Sequence, residues 1–281
     1  MKFGFVTCVQ IGLSCMEAIY EIGGELSLII SIPDNKAVKK SGRIFVDEFA
    51  SKHSIQVLKI NHINEEEVVN ALKLHKIDWL FIIGWSQIAS EEIIRTPKYG
   101  VIGAHPTLLP VGRGRAAIPW VIIKGLDRTG VTFFKMDKGV DTGLILRQEI
   151  VLIEAYETAT TLYKKVNDAH ELLIKKLFKD LEDGKVRGEL QDESKATYWE
   201  GRKPSDGQIF LSMTIEEVDR LVRATTKPYP GAFVINDEKK IIIWEGRKTL
   251  KEVGNDDFYK LQLKDGLFYA TNFQTIDQTD I

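Results

Sequence analysis

Between Phe3 and Val151, short apolar runs alternate with helical patterns, and that alternation constrains the fold more than any other feature. Phe3–Thr7, Leu26–Ile32, Ile55–Leu58, Trp79–Ile83 and Gly100–Ala104 read as strands, and Ser14–Ile22, Arg43–His53 and Glu65–His75 as helices. Continuously apolar strands separated by helices predict an α/β chain: a mostly parallel, doubly wound sheet with both faces covered. Such sheets bind ligands beyond the carboxyl ends of their strands. No G-x-G-x-x-G follows the first strand and no G-x-x-x-x-G-K-[ST] occurs, so neither a bound dinucleotide nor a P-loop is expected.

Further on, a helix is expected near Ala116–Ile123, strands near Gly130–Met136 and Leu144–Val151, and a long helix from about Thr158 to Leu181. That helix carries an apolar stripe at Leu162, Val166, Ala169, Leu173, Leu177 and Leu181, with Gly184 as its C-cap. His170, on the same helix, reads as a surface or internally satisfied structural histidine. After a polar stretch, Gly188–Pro204, the pattern becomes one helix, Ile215–Arg223, and then short β-like runs: Ala232–Ile235, Lys240–Trp244, Tyr259–Leu263 and Leu267–Thr271. Asn236-Asp237 and Asp265-Gly266 read as hairpin turns. The expected organisation is a catalytic domain over 1–190, a linker over 191–204 and a small β-rich C-terminal domain over 205–281.

Composition serves mainly to exclude. With 38 Lys+Arg against 40 Asp+Glu, the net charge of −2 rules out a strongly basic nucleic-acid binder. Cys8 and Cys15 are too few for a disulfide scaffold and read as reduced core thiols of a cytoplasmic protein. Phe3–Leu13 has the outline of a secretion signal, but Gln10 and Glu17 break it, and no apolar run is long enough to span a bilayer.

The chemistry concentrates in Gly100–Ile145. His105 follows a buried strand and precedes Pro106, which favours an extended backbone and an imidazole at the carboxyl edge of the sheet. Asp137 and Asp141 lie in a second loop, and two loops at one edge would join His105 to Asp141 as general acid/base equipment. Alternatively, His105 is a core-edge histidine and Asp141 a turn former before Gly143; spacing alone does not separate the two. No H-x-E, C-x-x-C or H-E-x-x-H is present, so no metal is expected, and no G-x-S-x-G supports a serine hydrolase.

His105-Pro-Thr-Leu-Leu-Pro, Arg113-Gly-Arg115, Thr129-Gly-Val-Thr132 and Met136-Asp-Lys-Gly-Val-Asp141-Thr-Gly resemble the formyltransferases that use 10-formyltetrahydrofolate. Arg202-Lys-Pro-Ser-Asp-Gly-Gln-Ile209 and Pro228-Tyr-Pro-Gly-Ala-Phe233 resemble the junction and second-domain start of the tRNA and nucleotide-sugar members. The resemblance implies a Rossmann-like formyltransferase domain, with 10-formyltetrahydrofolate as co-substrate and His105 and Asp141 as catalytic residues. It also implies a folate site at Gly84, Trp85, Ser86, Ile88, Asp137 and Val140. The family pattern has an asparagine two residues before the histidine, holding the formyl oxygen; here that position is Gly103. A glycine leaves that space open, and Gln87 is the favoured replacement donor, with Arg115, backbone N–H groups or protonated His105 as alternatives. Losing one such donor typically costs about 10²–10³ in rate.

Among the family's amines, the resemblance favours an amino sugar on a nucleoside diphosphate, a precursor for surface polysaccharide. Arg113, Arg115 and the Lys39–Arg43 stretch, with Lys40, are expected to meet the diphosphate. Nucleic acid is disfavoured because Ser205–Ile281 holds 10 Lys+Arg and 13 Asp+Glu. No membrane partner is expected, and a homodimer is allowed. The alternatives are a methionyl-tRNA formyltransferase-like enzyme and a formyltransferase-like binding protein that lost catalysis with the asparagine.

Overall fold

A computed structural model describes residues 1–36, 43–236, 239–249 and 257–277. The strands are β1 (Phe3–Val6), β2 (Leu28–Ser31), β3 (Val57–Lys59), β4 (Trp79–Ile82), β5 (Gly100–His105), β6 (Arg113–Gly114), β7 (Arg128–Lys135), β8 (Leu144–Leu152), β9 (Tyr198–Trp199), β10 (Ala232–Asn236), β11 (Lys239–Thr249), β12 (Tyr259–Gln262) and β13 (Leu267–Asp277). The helices are α1 (Gln10–Glu21), α2 (Asp47–Lys52), α3 (Glu66–Leu74), α4 (Glu91–Arg95), α5 (Ala117–Ile123), α6 (Ala159–Glu182) and α7 (Ile215–Thr225).

Two compact units result: Met1–Gly114 with Gly130–Val151 and Val166–Tyr198, and Arg115–Thr129 with Leu152–Lys165 and Trp199–Ile281. The first is built on a seven-stranded sheet in the order β3-β2-β1-β4-β5-β7-β8. β3, β2, β1, β4 and β5 are mutually parallel, and β7 pairs antiparallel with β5. Because side chains alternate across a strand, Phe3 and Phe81 meet Phe178 of α6 on one face, at ring separations of 4.3 and 6.4 Å. Val6, Leu80 and Ile82 join Val68, Val69 and Leu72 of α3 in a core on the other face. Each large apolar side chain buried there contributes about 1.5–3 kcal/mol.

The second unit carries an antiparallel sheet, β10-β11-β13-β12. Val218, Leu221 and Val222 of α7 pack into its core with Val234, Ile241, Ile243 and Phe268. Thr214 and Glu217 form a reciprocal cap at the start of α7. The turn expected at Asp265-Gly266 closes with Leu263 N–H donating to the Gly266 carbonyl. Asp237, of the other expected turn, lies outside the described residues. No described helix is long and apolar enough to cross a membrane.

His170 is buried, and its Nδ1 donates to the Val166 carbonyl at 2.7 Å. Burial pushes its pKa down to about 4 from 6.5, and the nearby His105 adds to the shift. As pH falls below 6.5 the unfolded chain therefore takes up this proton before the folded one, so stability is lost progressively toward pH 4. A loss of about 2 kcal/mol by pH 5 is expected at this site. Urea titrations at both pH values should show it, and His170→Gln should flatten the dependence.

Candidate active site

β4 and β5 are parallel neighbours, so the loops that follow them open at one sheet edge. His105 ends β5 there, buried, with Nε2 2.7 Å from the Gly112 carbonyl. A carbonyl only accepts, so the Nε2 hydrogen is fixed and the neutral ring keeps its lone pair on Nδ1. Nδ1 lies 3.5 Å from Asp141 Oδ2. The ring thus presents its basic nitrogen on the side where a carboxylate faces the charge that protonation creates.

Asp141 reaches this place by a return path. β7 runs antiparallel to β5, so Met136, the residue after its end, donates its N–H to the Val101 carbonyl, four residues back from His105. The loop must climb about 13 Å along β5 to bring Asp141 to the imidazole. Gly143 permits the tight return: a Cβ there would lie 1.8 Å from the Lys135 carbonyl oxygen. Asp141 itself has a φ of 56°, a left-handed conformation that aspartate tolerates better than most residues. Its Oδ2 accepts the Gly114 N–H at 2.8 Å, and Gln191 Nε2 donates to the carbonyls of Asp141 and Gly143.

Arg113 is not a diphosphate ligand. Its side chain is 0% exposed, and all five guanidinium N–H groups are engaged: Nε and Nη2 on Gln191, Nη1 and Nη2 on Glu193, and Nη1 on the Tyr198 hydroxyl. The hydrogen bonds to Glu193 hold its pKa above the ordinary arginine value. Arg113 instead anchors Gln191, which in turn holds the Asp141 loop. The polar stretch around Gln191–Tyr198 thus supplies support that the sequence did not reveal. A buried arginine has no distinctive local pattern, and its partners lie about eighty residues away.

Gln87 is tied to a neighbouring loop. Its amide donates one N–H to the Asn61 carbonyl and accepts from the Ile63 N–H, both at 2.8 Å, so these bonds orient the side chain toward the loop after β3. The space expected at Gly103 is filled: a Cβ there would meet Phe134 Cζ at 2.9 Å and Met136 Cγ at 3.2 Å.

The remaining positions divide as follows. Gly84 has φ 67°, and a Cβ there would lie 2.1 Å from Val9. Trp85 packs half-buried on the core, while Ser86 and Ile88 are exposed. Asp137 turns inward on its own loop, accepting from the Gly139 N–H and the Thr142 hydroxyl, and Val140 is exposed. Arg115 is exposed and belongs to the second unit. Lys40 lies outside the described residues.

Comparison with known proteins places the chain in a family. Residues 17–177 match the formyl transferase family model, and residues 202–275 match the formyl transferase C-terminal domain. The chain is 32% identical over 247 residues to a methionyl-tRNA formyltransferase of Lachnospira eligens, covering 87% of this chain and 78% of that protein. It is 34% identical to the bifunctional polymyxin resistance protein ArnA of Wigglesworthia glossinidia brevipalpis, covering 87% of this chain but 37% of that longer protein. Among solved structures, an N-formyltransferase from Helicobacter canadensis, in complex with folinic acid and dTDP-3-aminofucose, superposes with a TM-score of 0.71. It shares 18% identity, with 98% of this chain and 100% of that one covered, a likeness of fold. Both parts of one family thus match in order along this sequence, and the chain belongs to the formyl transferase family.

Proposed function

We propose that this protein transfers a formyl group from 10-formyltetrahydrofolate to the primary amine of a nucleotide-linked amino sugar, with His105 and Asp141 as its catalytic residues. The observation that carries the reading is the fixed hydrogen at His105 Nε2, which leaves Nδ1 as a base facing Asp141.

The neutral amine adds to the formyl carbon, forming a C–N bond and placing charge on the formyl oxygen. The amine proton moves to Nδ1, and Asp141 balances the imidazolium. The Nδ1 proton then passes to the folate nitrogen as its bond to carbon breaks and the carbonyl re-forms. The products are a formamide and tetrahydrofolate. With Gln87 tied to the loop after β3 and Gly103 packed over, the imidazolium is also the charge partner of the adduct's oxygen. The pterin is received by the Gly84–Ile88 loop, where Trp85 and the exposed Ile88 offer apolar surface, and by backbone groups near Asp137 and Val140.

The nucleotide-sugar reading rests on the acidic balance of Ser205–Ile281; the second unit also carries a small, mostly apolar recess. Arg202 and Lys203 line that recess, of about 150 Å³, with Ala116, Pro119 and Tyr229. Arg202 stacks on Trp120 at 5.0 Å, and Arg115 lies beside Gly201. Arg115 and Lys203 are exposed cations that can pair with an anionic group. Identity with methionyl-tRNA formyltransferase supports a second reading, an aminoacyl-tRNA acceptor.

Incubating the full chain and 10-formyltetrahydrofolate with nucleotide-linked amino sugars and with methionyl-tRNA, then measuring masses, separates the two readings. Formylation of a nucleotide-linked sugar is the expected result. Formylation of methionyl-tRNA alone would replace that substrate assignment.

A further inference from the structure

Gln87 belongs to the loop after β4, and Asn64 to the loop between β3 and α3. Each side-chain amide serves the backbone of the other loop. Gln87 donates to the Asn61 carbonyl and accepts from the Ile63 N–H. Asn64 Nδ2 donates to the Ile88 carbonyl at 3.0 Å, and Asn64 Oδ1 accepts from the Ser90 N–H at 2.8 Å. Four hydrogen bonds therefore cross between two loops that share no strand pairing. An amide suits this because it is donor and acceptor at once, matching a carbonyl and an N–H on the opposite loop. Both loops are seated by buried neighbours, Ile63 on one side and Ala89 on the other.

We propose that Gln87 and Asn64 form a reciprocal amide clasp that positions the Gly84–Ile88 loop for the reduced folate; this rests on the reading that this loop receives the pterin. Neither residue touches the reacting atoms. The clasp fixes the loop before the co-substrate arrives, so less ordering is required on binding. It holds the segment on both sides of Ile88, because Gln87 is pinned by its side chain and Ile88 by its carbonyl.

The test is calorimetric titration of the full chain with folinic acid, for the wild type and for Gln87→Ala, Gln87→Met, Asn64→Ala and the double alanine variant. The single variants are expected to raise Kd about three- to tenfold. Gln87→Met fills similar space without the hydrogen bonds and should weaken binding as much as Gln87→Ala does. The double variant should lose less than the product of the single effects, because both arms hold the same pair of loops. In formyl-transfer assays the loss should fall on KM for the folate rather than on kcat. Variants that lose thermal stability yet keep the wild-type Kd would overturn the clasp and leave the folate reading standing. A wild type that does not bind folinic acid would overturn both. Asn64→Ala acts from the opposite loop, so the test survives if Gln87 variants fold poorly.

Discussion

Replacing His105 by asparagine is expected to slow formyl transfer about 10²–10⁴-fold without unfolding the protein. Asparagine reaches only to about the Nδ1 position, so the hydrogen bond that Nε2 makes to the Gly112 carbonyl goes with the ring. Also lost is the nitrogen that takes up a proton beside Asp141. Since the amine cannot form a stable formamide without losing a proton, the chemical step should fail while folinic acid binding remains near the wild-type level. Single-turnover rates and folinic acid affinity, measured on the same preparation, check this. Turnover unchanged in a folded variant would remove His105 from the mechanism.

The second large effect is structural. Arg113→Met should destabilise the protein by about 3 kcal/mol, seen in urea denaturation. Methionine fills part of the volume, but five hydrogen bonds are lost and Gln191 Oε1 is left without its donors. Glu193 is largely exposed and can be rehydrated, so the cost falls on the buried end of the network. Gln191 also holds the carbonyls of Asp141 and Gly143. Turnover should therefore fall together with stability, although Arg113 contacts no reacting atom. A variant as stable as the wild type would show that the buried guanidinium is dispensable.

The legible and illegible parts of this molecule differ in the range of the contacts that define them. The apolar runs at Phe3–Thr7 and Trp79–Ile83 and the stripe along Leu162–Leu181 are local patterns, and they correspond to β1, β4 and α6. The helix expected from Arg43 begins instead at Asp47. Arg43 bridges to Val9 and reaches the Ile32 and Pro33 carbonyls, so long-range pairing holds that segment extended. Pro106 marked the end of the strand that carries His105, but spacing left Asp141 open between a catalytic partner and a turn former before Gly143, and the resemblance singled the pair out. Arg113 and Gln87 were expected in other roles and Gln191 in none, because a guanidinium or an amide shows its role only through its partners. For Arg113 and Gln191 those partners lie some fifty to eighty residues away along the chain. Gly103 illustrates the same limit. An open cradle was the natural expectation for a glycine in a catalytic pattern, yet Phe134 and Met136 from the paired strand and its loop occupy it.

The placement of the His105 proton carries the whole mechanism, and nitrogen-15 NMR of histidine-labelled protein reads it directly. In the neutral protein, the His105 signals, assigned by their loss in His105→Asn, should show a protonated Nε2 and a bare Nδ1. A neutral ring protonated at Nδ1, with its lone pair on Nε2 toward Gly112, would contradict the account.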